Sequence, residues 1–134
     1  MKCLVTICSK NKDINEDLIP AHLRYLAPHI TQIYKKSQDL GVPLYILSGK
    51  YCLIKSEDPI PFYDYYLESS HVEELTQIVS DQIKKEGITD IDFYIEEKET
   101  WKPYITALEQ ASVVSGIILH KEKLFPSISE IKMR

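Results

Sequence analysis

Apolar positions along the chain fall into blocks whose spacing switches between the periods of strands and of helices. Residues 3–8, Cys-Leu-Val-Thr-Ile-Cys, form a short β-branched run closed by polar Ser9-Lys10-Asn11-Lys12, which predicts a buried strand running into a loop. Residues 11–17 carry Asn, Lys, Asp and Glu and read as the exposed arc of that loop. Leu23, Leu26, Ala27, Ile30, Ile33, Tyr34 and Leu40 then recur at helical spacing. Pro28 inside that pattern would remove a helix hydrogen bond. The pattern therefore divides into a short turn over 20–26 and a main helix from Pro28 to Leu40, stopped by Gly41. Residues 43–48, Pro-Leu-Tyr-Ile-Leu-Ser, make a second buried strand.

From Gly49 to Leu67 the chain reads as one long irregular connection rich in Tyr, Pro and Asp, and connections of that length are usually functional. Ser70-x-x-Glu73 has the form of a capping box, opening a helix with Val72, Leu75, Ile78, Val79 and Ile83 on one face and Gly87 at its end. Residues 90–95 alternate as a half-exposed strand does. Thr100 or Glu99 opens a further helix, with Tyr104, Ile105, Leu108 and Ala111 on one face. Residues 112–119 either extend that helix or form a last strand, and their two serines and glycine favour the strand. Strands alternating with helices predict one α/β domain over 1–134, with a mostly parallel sheet of about four strands covered on both faces.

Composition narrows the function classes. Sixteen basic residues against twenty acidic ones leave a net charge of −4, which disfavours gripping a phosphate backbone by bulk charge. Cys3, Cys8 and Cys52 form no C-x-x-C pair and are odd in number, so neither a disulfide framework nor a zinc site is expected. No cofactor motif is found and none is expected. No run approaches the eighteen or so apolar residues of a membrane span, and a reducing cytoplasm is the expected setting, with no membrane partner.

In open parallel sheets ligands bind beyond the carboxyl ends of the strands. Three polar clusters fall there: Cys8 to Lys12, then Ser48-Gly49-Lys50-Tyr51 leading on to Asp58 and Asp64, and Glu96 through Trp101 to Tyr104. Ser9, Lys10 and Lys12 either hold an anion or close a solvated turn; the glycines of a P-loop are missing. Cys8 and Cys52 are candidate nucleophiles, although buried strand cysteines usually serve as small hydrophobes. Ser48 lacks the preceding glycine of a nucleophile elbow, since Ile46 stands in its place. His22, His29, His71 and His120 read as surface or interface residues, and Trp101, Pro103 and Tyr104 as core. Nine tyrosines is a high number, and Tyr51, Tyr63, Tyr65 and Tyr66 cluster. They either plug the long loop onto the core or form a stacking platform for a planar base, with Asp64 or Asp58 accepting from its edge.

Together these clusters resemble a family of small bacterial and phage α/β domains. Its pattern runs Cys-Ser-x-x-Lys after a strand, Pro-Ala near a helix with a tyrosine, Ser-x-x-Tyr-Gly-Leu, and Pro-Tyr-Asp. The matches here are Cys8, Ser9 and Lys12; Pro20, Ala21 and Tyr25; Ser48, Lys50, Tyr51 and Leu53; and Pro61, Tyr63, Asp64 and Leu67. More distantly the second motif is similar to that of the peroxide-stress YaaA proteins and of the uracil-DNA-glycosylase-like domain of archaeosine-type tRNA-modifying enzymes. One position departs: the family glycine after the tyrosine is Cys52, where glycine signals a positive φ or a close approach. The resemblance implies a Rossmann-like three-layer sandwich with a base- or nucleotide-related pocket and N-glycosidic chemistry.

The expected function is a nucleobase, nucleotide or nucleic-acid-related enzyme, N-glycosidase-like, with its pocket beyond the first two strands. Ser48, Asp64 and Tyr51 are the catalytic candidates; Cys8, Ser9, Lys12, Lys50 and Tyr63 are the ligand-binding ones. The expected partner is a small-molecule base or nucleotide, or a short nucleic acid. The competing expectation is a non-catalytic nucleotide-binding or protein-interaction module.

Overall fold

A computed structural model describes residues 1–65 and 67–124. The chain opens with β1 (Lys2–Ile7), then β2 (Ile19–Pro20) and a single helical turn, α1 (Ala21–Arg24), before α2 (Pro28–Leu40). A hairpin follows, formed by β3 (Leu44–Ser48) and β4 (Cys52–Lys55), and then β5 (Pro59–Ile60), which pairs with β2. The second half is α3 (Val72–Glu86), β6 (Asp90–Ile95), α4 (Lys102–Ser115) and β7 (Ile118–Lys123).

The main sheet has five strands in the order β4-β3-β1-β6-β7, parallel except for β4. That is one strand more than expected. The additional strand is β4, inside the stretch read from the sequence as irregular: four residues, Cys-Leu-Ile-Lys, are too few to show a period of two. Alternation splits β1 between the two faces of the sheet. Cys3, Val5 and Ile7 pack with Leu75, Val79, Ala107 and Leu108 of α3 and α4, whereas Leu4 packs with Ile33 of α2 on the other side. Strand β6, expected half-exposed, is interior, and Ile91, Phe93, Tyr94 and Ile95 are all buried.

Two further expectations are corrected. The stretch 112–119 is helix as far as Ser115, because serine fits where α3 and α4 approach: Ser112 Oγ donates to Leu108 O at 2.7 Å, and Ser80 and Ser115 share a hydrogen bond at 3.0 Å. Gly116 breaks the helix at φ +69°, and the strand starts only at Ile118. Ser70 is not a cap. It lies in a 3-10 turn over Ser69–His71, and α3 starts at Val72 with no side-chain cap, its first turn complemented instead by Glu73 and Glu74.

The loop after β1 is tied down by a buried arginine. The guanidinium of Arg24 donates to the carbonyls of Asp13 (2.6 Å), Asn15 (2.8 Å), Asp17 (2.6 Å) and Ile60 (3.1 Å). The Asp13 and Asn15 side chains accept from the backbone two residues on, so the loop is a run of nested Asx turns around one cation. Lys12 bridges to Tyr25, and Leu26 N–H donates to Asn11 O, which brings the lysines of this loop back over the sheet end.

Candidate functional site

Strand β1 is flanked by β3 and β6, whose connections leave it in opposite directions, so its carboxyl end is the switch point of the sheet. A cavity of about 200 Å³ lies there. The segment after β1 supplies Ile7, Cys8, Ser9, Lys10 and Lys12; the β3–β4 hairpin supplies Gly49. Tyr63, Asp64, Tyr65 and Leu67 come from the connection before α3, and Thr100, Trp101, Pro103 and Tyr104 from the start of α4. Four segments, drawn from the three polar clusters of the sequence, therefore meet at one strand end.

Gly49 holds the wall together. A Cβ there would stand 3.1 Å from Leu67 Cβ, 3.2 Å from the Tyr65 ring and 3.3 Å from the Tyr104 hydroxyl, so any side chain would press all three back by a few tenths of an ångström. The hairpin turn carries the one non-glycine residue with positive φ among those described, Cys52 at +63°. The backbone there adopts the left-handed geometry that favours glycine, with cysteine bearing the steric cost.

Behind the cavity wall lies a hydroxyl network. Ser48, fully buried, accepts from the backbone N–H groups of Lys50 (3.2 Å) and Tyr51 (3.0 Å) and shares a hydrogen bond with the Tyr63 hydroxyl at 3.0 Å. Tyr63 in turn bonds the hydroxyl of buried Tyr25. Tyr51 meets the Tyr63 ring edge-on, centroids 5.0 Å apart at 85°. Ser48 and Tyr51 do not line the cavity; they fix Tyr63, which does. Burial pushes the ionisation of Tyr25, Tyr63 and Tyr104 well above the ordinary tyrosine range, so all three stay neutral donors and acceptors at neutral pH.

Cations gather at the front. Lys12 Nζ stands 4.6 Å from the Tyr63 ring centroid and Lys50 Nζ 5.7 Å from it. Among the described residues Lys10, Lys12 and Lys50 form no ion pair, whereas Lys98 and Lys102 are each held by a glutamate at 2.7 Å. Ser9 closes its turn by donating to Asn11 O at 2.8 Å. Burial raises the Cys8 thiol, opposed by the Gly49 N–H and the Tyr104 hydroxyl beside it, so it is protonated at neutral pH. Desolvation raises Cys52 too, with the Glu74 charge adding to it. His29 donates from Nε2 to Ile7 O at 2.6 Å and tilts against Trp101, and burial lowers its proton affinity.

Of the expected site residues, Cys8, Ser9, Lys12, Tyr63 and Asp64 line the cavity, while Lys50 lines a neighbouring hollow. Tyr66 lies outside the described residues. Trp101 and Tyr104, read from the sequence as core, do pack against it, and with Pro103 they also form a wall of the cavity. Their position just after the third parallel strand was the available signal, and it competed with their fit to an apolar helix face. Among the described residues no group of three or more histidine, cysteine or acidic side chains is placed to hold a metal. No described helix is long and apolar enough to cross a membrane. Compared with family models, with curated proteins and with solved structures, the chain matches none.

Proposed function

We propose that this cavity binds a nucleotide, with the base against the aromatic wall and the phosphate at Lys10 and Lys12. The observation that carries the reading is the pairing of aromatic faces (Tyr63, Tyr65, Trp101, Tyr104) with lysines that have no carboxylate partner among the described residues. Neutral aromatic rings suit a planar base, and unpaired ammonium groups at a loop edge suit a phosphate. The volume, below the roughly 300–1,000 Å³ of drug-sized pockets, suits one base with its sugar. The fold supports the same reading: helices pack against both faces of the mostly parallel sheet as in a Rossmann-like three-layer sandwich, where the switch point is the ligand crevice.

Asp64 is the one catalytic candidate on the cavity wall, and it is the group that would stabilise an oxocarbenium-like centre in N-glycosidic cleavage. The occupied hydroxyl of Ser48 favours a second reading, a nucleotide-binding module without turnover. Thermal unfolding against bases, nucleosides, nucleotides and inorganic phosphate tests both. Occupancy at a hundredfold excess over Kd stabilises by about 2.7 kcal/mol, roughly 5–15 °C for a domain of this size. A shift with one nucleotide, lost in Lys12→Ala, sustains the site; no shift with any of them removes it. Release of free base by the wild type, abolished in Asp64→Asn, assigns cleavage, and binding without release assigns the module.

A further inference from the structure

A second hollow, about 160 Å³, lies on the other side of the Tyr65 ring. It shares Tyr65 and Gly49 with the first cavity and adds Lys50, Cys52, His71 and Glu74. Tyr65 is thus a ridge between two hollows. Its ring edge is seated on Gly49, 3.2 Å from where a Cβ would stand, and 37% of the residue is left to solvent. Each hollow has its own unpaired lysine, Lys12 for the first and Lys50 for the second, and the two ammonium groups approach the same Tyr63 ring.

We propose that the ligand crosses Tyr65 and that the site takes two adjacent nucleosides joined by one phosphate. This rests on the nucleotide reading above and extends it. The first base lies in the larger cavity against Trp101 and Tyr104, the linking phosphate stays at Lys10 and Lys12 with Lys50 added from the second hollow, and the second base stacks beyond Tyr65. Glu74 then faces the edge of the second base and accepts from an exocyclic amine, so adenine or cytosine is preferred there over thymine or uracil. A mononucleotide leaves the second hollow unused.

Calorimetric titration of the full chain with a nucleoside 5′-monophosphate and with the matching dinucleoside monophosphate separates the cases. A second base stacked on an aromatic ring is worth about fivefold to 150-fold in affinity. The dinucleotide is expected to bind at least tenfold more tightly, and Tyr65→Ala, which removes the ring the second base stacks on, to shrink that ratio to near one. Lys12→Ala is expected to weaken both ligands together. Equal affinities for the two ligands in the wild type would overturn the two-nucleotide site and leave the nucleotide reading standing; binding of neither overturns both. A linear strand of ten nucleotides that binds as tightly as the dinucleotide identifies single-stranded nucleic acid as the source, and weaker binding of the strand identifies a free dinucleotide. In either case the tenfold preference for two joined nucleosides sustains the site.

Discussion

At the scale of single residues, the hydroxyls of Ser48, Tyr63 and Tyr25 act as one unit. Each is buried, and Tyr25 and Tyr63 bond one another. Tyr63→Phe leaves the Tyr25 hydroxyl without that partner in a dry environment, at a cost of about 1–3 kcal/mol. The double variant Tyr25→Phe/Tyr63→Phe removes both groups, and in urea unfolding it is expected to cost less than the sum of the two single variants. An additive result would show that the hydroxyls do not support one another. The same burial sets a pH dependence. A tyrosine whose folded-state ionisation is raised stays protonated when the unfolded chain ionises near pH 10, so its contribution is complete below that pH and is lost above it. Tyr25, Tyr63 and Tyr104 are all raised, and Tyr45 is pushed up to about 12. Stability is therefore expected to fall from pH 10 to 12, by up to about 1.4 kcal/mol per pH unit for each tyrosine. Urea midpoints at pH 8, 10 and 11 check this, and Tyr63→Phe should show a shallower fall.

At the scale of elements, the β3–β4 hairpin positions the site. Its three-residue loop, Gly49 to Tyr51, closes on the Ser48–Cys52 pair, with Cys52 in the left-handed region. A side chain there costs about 1–2 kcal/mol, and a β-branched one more. Cys52→Gly is therefore expected to stay within about 1 kcal/mol of wild type, relief of strain offsetting lost burial. Cys52→Val is expected to fall about 2–3 kcal/mol below it. A valine variant as stable as the glycine one would show that the turn has another conformation. Gly49→Ala presses a methyl into Leu67, Tyr65 and Tyr104 and is expected to cost about 1–3 kcal/mol in the same assay.

At the scale of the whole molecule, periodicity revealed elements long enough to display it. Helices α2 and α3 and the three strands β1, β3 and β6 have clear apolar faces or runs in the sequence, and each is present. Strand β4 is too short for that signal, and the end of α4 was obscured because serine and glycine have low intrinsic preference for helix while here they serve close packing and a stop. Much of the site was legible because strand ends are marked by abrupt changes from apolar to polar, as at Cys8-Ser9 and Ser48-Gly49. What was hidden was orientation. Nothing in the order of residues distinguishes a Trp101 packed inward from one that lines a cavity, nor a Ser48 facing a ligand from one bonded to its own loop. Those depend on how segments about forty residues apart meet.

The Arg24 clasp bears on how the loop with Lys10 and Lys12 behaves in different media. Its guanidinium occupies the place that a bound metal ion fills in many acidic loops, encircled by three carbonyls of residues 13–17 and a fourth from Ile60. Unlike a metal ion, this resident cation is covalently part of the chain and cannot dissociate or be chelated. The loop therefore carries its own fixed cation, and its shape needs no dissolved ion to hold it, even though the grip of Lys10 and Lys12 on a phosphate weakens as salt rises.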